Sequence, residues 1–494
     1  MKKRKSKVRV VFTSLVLLVL VILAAWKIKK MGPREQQPLP ETAEAETPME
    51  VEPEEPEKEP ETAAEPEPEP EESGEALDEA AQLASFLPDY TSAPLLNTTA
   101  IKCLSLEVGA TENEIRLNWF SPSGTRGRVE WKDSSGNTKS FEAQCTASAT
   151  LPGYYVNKAE VTELQPGESY AYRVGNDDAW SPEYTYQMPG DTESLTFLVT
   201  ADAQLGQSEM EDPEQTAERW DSVLTRLTSY VPEARFLFHL GDQVADYGSA
   251  EHYDLFLDHL ALYKIPLAPV VGNHDVPNVY SMEENGHPAG PYFSEHFFVP
   301  NRSNVAQSPF DMDGNYYFIR DNVLFIVLNS VSNQPGEVQE AYVAQVVSEH
   351  PEVKWKILVQ HYPAYKGVTG SGNGSFKEYL AHAAIDNDID LVLTAHEHAY
   401  SRTAFVNREM ETLNDYDYEP GDTVTNPEGT LYVTCGTSSG CLYHQIEEEV
   451  RIVYQGQPGV PSAIRIDVTD SELHLRTYLV DSWTVYDEYT IRKE

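Results

Sequence analysis

Five points in the chain place metal-ligating side chains directly after apolar runs. Residues 195–200 are followed by Asp202 and Gln204, and 235–240 by Gly241-Asp242-Gln243. Residues 266–271 lead into Gly272-Asn273-His274-Asp275, 356–360 into His361, and 390–394 into Ala395-His396-Glu397-His398. Asp, Asn and His without Cys suit hard or borderline cations such as Zn, Fe or Mn. A carboxylate can bridge two cations, so an Asp among several His and Asn points to a pair of metals. At a spacing of about 3.5–4 Å such a pair suits in-line attack on phosphorus. His396-x-His398 fits two imidazoles on one tight loop reaching different metals. Singly the signals are weak: Asp202 alone reads as a turn or helix cap, and Gly241-Asp242 as a common turn. Together, in order and at strand ends, they read as one site.

Residues almost 200 positions apart converge if the apolar runs are neighbouring strands. In open α/β sheets the site lies beyond the carboxyl ends of the strands. The region 191–494 is therefore expected to be an α/β (α+β) domain. Trp220, Val223, Leu224 and Leu227 mark one face of a helix over about 214–229. Alternating residues at 463–468 and 473–491 read as further strands. Ahead of this, residues 95–190 alternate with period two: 114–120, 128–131 and 159–174 read as short strands, with a turn at 134–137. That pattern predicts an all-β sandwich. The stretch Leu164-Gln-Pro-Gly-Glu-Ser-Tyr170 resembles the tyrosine corner of fibronectin type III domains.

Asp202, Gly241-Asp242, Gly272-Asn273-His274-Asp275, His361 and Ala395-His-Glu-His398 resemble the five blocks of the calcineurin-like metallophosphoesterases. The preceding sandwich and the run His396-Glu-His-Ala-Tyr-Ser-Arg402 resemble the purple acid phosphatase branch. The resemblance implies the metallophosphoesterase fold, two packed mixed β-sheets flanked by helices, with the strands at 463–468 and 473–491 completing the second sheet, behind a fibronectin III-like sandwich. It implies that Asp242 bridges two metals, that Asp202 and His398 complete one site, and that Asn273, His361 and His396 complete the other. It also implies a metal-bound hydroxide nucleophile, with His274 beside the substrate as a charge stabiliser or proton donor and Asp275 orienting it. Two positions depart from the pattern. The tyrosinate ligand of the purple enzymes has Ala245 in its place, with Tyr247 displaced by two residues, so a ferric–tyrosinate site is in doubt. Ala395 replaces the usual Gly. Gln204 stands where the wider superfamily often has His and the purple branch Gly, and is a candidate metal or water contact through its amide oxygen.

The chain has 494 residues, with 36 Lys and Arg against 80 Asp and Glu, a formal charge of −44. Such a charge repels nucleic-acid phosphates, so no nucleic-acid binding is expected. Lys2, Lys3, Arg4, Lys5, Lys7 and Arg9 precede an uncharged run over 10–26. A span of about 20 apolar residues crosses a bilayer, and this run is at the short end of that range. Residues 1–34 read as a basic tail and signal anchor, with the N-terminus inside and the rest exported; cleavage as a signal peptide is the alternative. Residues 35–94, rich in Glu and Pro over 35–75, read as an acidic disordered stalk.

In an exported chain, Cys435 and Cys441 are expected to pair, and Cys103 with Cys145 is a second candidate disulfide. His239, inside an apolar run, reads as a core histidine. His287 lies in a long loop after Asp275, and the Gly-rich run 367–374 reads as a flexible loop beside the site. Tyr362 and Tyr365 are candidates for the pocket or the core.

The reading is a membrane-anchored, extracytoplasmic phosphohydrolase with two metal ions (Fe, Zn or Mn) that hydrolyses small phosphomonoesters as an acid phosphatase does. The alternatives are a phosphodiesterase or nucleotide hydrolase on the same core, and a non-catalytic surface-binding protein.

Overall fold

A computed structural model describes residues 100–190, 192–206, 213–277, 290–303, 314–331, 336–369 and 377–494. The basic tail, the apolar run 10–26, the stalk 35–94, His287 and most of the Gly-rich run 367–374 lie outside them. No helix among the described residues is long and apolar enough to cross a membrane.

The N-terminal part is all β: β1 (Lys102–Val108), β2 (Ile115–Ser121), β3 (Arg128–Asp133), β4 (Thr138–Glu142), β5 (Gln144–Ala147), β6 (Tyr155–Val161), β7 (Ser169–Gly175) and β8 (Tyr184–Gln187). The chain continues through β9 (Leu195–Thr200), α1 (Pro213–Tyr230), β10 (Leu237–His239), α2 (Ala250–Leu257), β11 (Leu267–Pro269) and α3 (Tyr292–His296). Then come β12 (Tyr316–Arg320), β13 (Val323–Val327), α4 (Gly336–Glu349), β14 (Trp355–Val359), α5 (Lys377–Ile385), β15 (Leu391–Thr394) and β16 (Tyr400–Thr403). The last strands are β17 (Thr423–Thr425), β18 (Leu431–Thr434), β19 (Ile452–Gly456), β20 (Ser462–Val468), β21 (Glu472–Leu479) and β22 (Thr484–Arg492).

Two mixed sheets face each other. One has 11 strands in the order β17-β22-β21-β20-β9-β10-β11-β1-β2-β6-β5, the other seven in the order β12-β13-β14-β15-β18-β16-β19. β9, β10 and β11 run parallel, as do β13, β14, β15 and β18. Parallel strands covered on both faces read as near-continuous apolar runs, and all of β9 and β13 is buried. Phenylalanines fill the space between the sheets: Phe197 stacks on Phe236 at 5.1 Å, and Phe325 meets both edge-on at 5.2 and 5.3 Å. α1 buries Trp220, Val223, Leu224 and Leu227, the face expected of it. Tyr342, Val343, Leu380 and Ala384 of α4 and α5 cover the other outer face.

One expectation changes. The C-terminal strands do not complete the second sheet; β20 pairs antiparallel with β9, so β20–β22 extend the sheet that carries Asp202 and Asp242. The all-β part forms the expected sandwich, and it shares a sheet with the part that follows. Its β1 pairs with β11 in parallel, Glu107 opposite Leu267, so one sheet runs through both parts. The 4-stranded sheet β4-β3-β7-β8 closes over this shared sheet. Between them lie Trp119, Trp131, Tyr172 and Tyr184, joined by Tyr263 from the chain leading to β11, whose carbonyl accepts from Tyr172 Oη at 2.8 Å. The tyrosine corner forms: Tyr170 Oη accepts from the Gln165 amide at 2.8 Å.

Candidate metal centre

Each of the five apolar runs ends where the sheets' carboxyl edges meet, and the backbone there is bent to aim side chains inward. Asp202 (φ 47°), Gln204 (40°), Asp242 (55°), His396 (74°) and His398 (53°) all adopt left-handed conformations. Such conformations cost of order 1–3 kcal/mol each and cluster at functional sites. Two glycines make room. A Cβ on Gly241, itself at φ 100°, would lie 2.6 Å from His361 Nδ1, and one on Gly272 would lie 2.1 Å from the Asp242 amide.

Asp242, His361 and His396 offer ligand atoms within 4.8 Å of one another. Asp202 and Asp242 are fully buried, as is His361, while Asn273, His274 and His396 are half-buried. The Asp202 carboxylate accepts the His396 amide through Oδ2 at 2.9 Å, and Asp242 Oδ1 accepts the His274 amide at 2.8 Å.

The imidazole contacts bear on whether a cation fits. His398 Nδ1 faces the Leu442 carbonyl at 3.0 Å, so its hydrogen sits there and Nε2 carries the lone pair. That lone pair points at Asp202 Oδ1, 3.7 Å away, a buried oxygen with no hydrogen-bond partner. His361 repeats the arrangement. Nδ1 faces the Leu240 carbonyl at 2.9 Å, and Nε2 lies 3.1 Å from Asn273 Oδ1 and 3.4 Å from Asp242 Oδ2. Electron-rich atoms held face to face in a buried site call for a cation between them, so these residues fit a metal centre. Protonation points the same way, because a proton held on Asp202 or on His361 takes the place between acceptors that a cation would fill. Burial pushes Asp202 well above the usual carboxylate range. Burial also acts to raise Asp242, but the His361 and His274 imidazoles outweigh it and hold it well below that range. Burial opposes a charge on His361, yet the Asp242 carboxylate lifts it to about 9. Burial takes His396 and His398 down to about 3.

Two expected roles change. Asp275 does not orient His274. Its carboxylate accepts the amides of Gly272 and Asp242 (both 2.8 Å) and of Gln243 (2.9 Å), clasping two ligand loops together. His274 is oriented by the Ala245 carbonyl, 3.0 Å from Nδ1. Gln204 turns its amide nitrogen, not its oxygen, to the centre: Nε2 donates to Asp242 Oδ2 at 3.0 Å, while Oε1 lies 3.6 Å from the Cys441 thiol.

The four cysteines are free. Cys103 and Cys145 sit on β1 and β5, with β2 and β6 between them. Three strand spacings amount to roughly 14 Å, beyond the reach of a disulfide. Cys103 Sγ donates to Asp254 instead. Cys441 points its thiol at the Asp202 carbonyl (3.4 Å) rather than at Cys435.

His239 is a core residue, bonded through Nδ1 to Thr200 Oγ1 and packed against Trp220 and Phe256, and burial drives it down to about 3. Tyr247 packs edge-on against Tyr292 at 5.0 Å. Tyr362 stands over His396 with ring centroids 4.6 Å apart, whereas Tyr365 is in the core against Tyr432. The sequence reading missed His444, whose ring lies 5.1 Å from that of His398, and the hydroxyls of Thr437, Ser438 and Ser439 behind Asp202. A signal for them was present: 437–439 also follow the end of a buried strand, β18.

Residues 195–400 match the calcineurin-like phosphoesterase family, and residues 102–188 match the purple acid phosphatase N-terminal domain. The chain carries a calcineurin-like phosphoesterase domain behind a purple acid phosphatase N-terminal domain. Among curated relatives, "Probable inactive purple acid phosphatase 1" of Arabidopsis thaliana is 23% identical over 377 residues, 67% of this chain and 59% of that protein. Acid phosphatase type 7 of Danio rerio is 22% identical, covering 67% of this chain and 76% of that protein. The chain thus spans well under two thirds of the Arabidopsis relative. Among solved structures, the purple acid phosphatase PPD1 from yellow lupin (Lupinus luteus) seeds superposes with a TM-score of 0.66 at 18% identity, covering 80% of this chain and 75% of that one. PhoD superposes at 0.53 and 13% identity, covering 81% and 93%. These superpositions show that the chain shares the fold of those two structures.

Proposed function

We propose that this chain is an extracytoplasmic phosphomonoesterase with two metal ions, held to the cell membrane by residues 10–26 and set away from it by the acidic stalk. The observation that carries the reading is the pair of acceptor-to-acceptor contacts, His398 Nε2 on Asp202 Oδ1 and His361 Nε2 on Asn273 Oδ1, within a phosphoesterase fold. Relatives named as acid phosphatases and as probably inactive occur side by side, so the residues decide, and the set Asp202, Asp242, Asn273, His361, His396 and His398 is whole.

Two cations bound by these residues would supply Lewis-acid activation of water and charge neutralisation on the phosphoryl oxygens. The protein's own part follows from its contacts. Asp242, fixed by Gln204 and the His274 amide, presents its carboxylate between the two ligand groups. His274 spends its Nδ1 hydrogen on Ala245, so proton exchange with a leaving-group oxygen runs through Nε2. Tyr362 beside His396 and His444 beside His398, both partly exposed, are the side chains placed to meet the ester group. Ala245 leaves no tyrosinate at that position, so Zn or Mn is favoured over ferric iron. The basic residues before the apolar run support an internal N-terminus and an external enzyme.

The test is elemental analysis of the full-length chain, paired with hydrolysis of an aryl phosphate and the matching diester before and after chelation. Two metals per chain and chelator-sensitive turnover, faster on the monoester, are expected. A metal-free chain without turnover after reconstitution with Zn, Mn or Fe would overturn the reading.

A further inference from the structure

Behind Asp202 lies a loop that no catalytic motif contains. It follows β18 as Cys435-Gly-Thr-Ser-Ser-Gly-Cys441, and Thr437, Ser438 and Ser439 are all buried. Three consecutive hydroxyls are costly to bury unless each is bonded, and each is bonded to the same stretch of three residues, 201–203. The Ala201 amide donates to Ser438 Oγ at 2.9 Å, and the Ser438 amide donates back to the Ala201 carbonyl at 2.9 Å. Thr437 Oγ1 donates to the Asp202 carbonyl at 2.9 Å, and Ser439 Oγ to the Ala203 carbonyl at 2.6 Å. These bonds grip the turn in which Asp202 and Gln204 are left-handed, and so supply what such a backbone needs to persist.

The same loop goes on to orient His398, since the Leu442 carbonyl faces its Nδ1. The two side chains that face each other across one half of the centre, Asp202 and His398, are therefore both set by residues 437–442. The other half is set mostly elsewhere, His361 by Leu240 and the Asn273 loop by Asp275, with the His396 amide alone tied to Asp202. The hydroxyl loop is itself anchored, as Ser438 Oγ donates to the Ser462 carbonyl (3.1 Å), the Ser462 amide donates to the Thr437 carbonyl (3.1 Å), and Arg219 donates to the Ser439 carbonyl (3.1 Å).

We infer that Thr437, Ser438 and Ser439 are positioning residues that set the affinity of one of the two metal sites, the one built on Asp202 and His398, and leave the other largely untouched. The inference rests on the two-metal reading above. Outer partners of metal ligands typically change affinity by roughly 10–100-fold when removed.

The experiment titrates the full-length chain with Zn²⁺ or Mn²⁺ against a competing chelating dye, for wild type, Thr437→Val, Thr437→Ser, Ser438→Ala and Ser439→Ala. Val433→Ala in β18 serves as a destabilised control. Wild type should take two ions. Thr437→Val and Ser438→Ala should bind one ion as wild type does and the other roughly 10–100-fold more weakly, with Thr437→Ser restored. The control should lose melting temperature and keep both affinities. Two undiminished affinities in the variants would overturn the inference, as would equal weakening of both sites matched by the control. A wild type that takes fewer than two ions would overturn the two-metal reading itself, and that failure shows before any variant is compared.

Discussion

The two flanks of the metal centre are built on opposite plans. On the flank of Asn273, the clasp is local: Asp275 gathers the amides of Gly272, Asp242 and Gln243 from its own loop and the neighbouring one. On the flank of Asp202, the clasp arrives from the far end of the chain, in the hydroxyls of residues 437–439 and the carbonyl of Leu442. The local flank uses a single buried carboxylate that accepts several backbone donors. The distant flank spreads the task over several neutral hydroxyls. The difference teaches that the Asn273 loop is fixed by a neighbouring loop of the same sheet, whereas the Asp202 turn also depends on the loop after β18 in the other sheet.

The largest effect is expected where the flanks meet. Asp242→Asn should abolish aryl phosphate turnover, by on the order of 10³-fold or more, and reduce metal content in elemental analysis. Unaltered turnover would separate the two halves from the chemistry altogether. Next, Asp275→Ala should strand several buried amides, each worth about 1–3 kcal/mol, and lower the chemical-denaturation midpoint accordingly. A milder loss than that of the triple variant Thr437→Val/Ser438→Ala/Ser439→Ala would reverse the contrast between concentrated and distributed clasps. A smaller effect is expected for Gln204→Leu, which removes the bond to Asp242 and leaves the loop bonds in place. Turnover should fall roughly tenfold with the melting temperature little changed, since one charge-assisted hydrogen bond is worth about 1.5–3 kcal/mol.

The smallest effect lies away from the centre. Glu107, on β1, is buried against Ser105 and the Phe298 amide, with Oε2 unpartnered, and burial raises it from 4.5 to about 8. Between these two values the folded chain holds a proton that the unfolded chain has released. Stability therefore falls as pH rises through that window and levels off above it. Glu107→Gln should remove this slope, so the gain in melting temperature over wild type should be larger at pH 8 than at pH 5. Equal shifts at both would show that Glu107 folds ionised.

The strand ends were legible because an apolar run that halts at Asp, Asn or His is a pattern of composition. Asp202, Asp242, His361 and the His396–His398 pair were found this way, and the structure gathers them at the sheet edges. What escaped the sequence is which backbone group each side chain meets. Gly272-Asn273-His274-Asp275 invites pairing of the last two residues, yet Asp275 folds back on amides and His274 finds Ala245. The spacing of Cys435 and Cys441 suggests a disulfide, yet the turn directs one thiol to Asp202. The union of β1 with β11 was invisible for a related reason: the pairing of distant strands leaves no local trace.

That union has a consequence for how the molecule is made. Ribosomes release chain from the N-terminus, so β1, β2, β5 and β6 emerge first, with one margin of β1 still open. Its neighbour, β11, follows about 160 residues later, as Glu107 opposite Leu267 shows. Until then the newborn chain carries an unsatisfied edge, apt to recruit a stray strand. A chain cut between the two parts would keep that edge exposed on both pieces, so the small domain and the enzyme are best regarded as one product of synthesis, completed only when the later strand arrives.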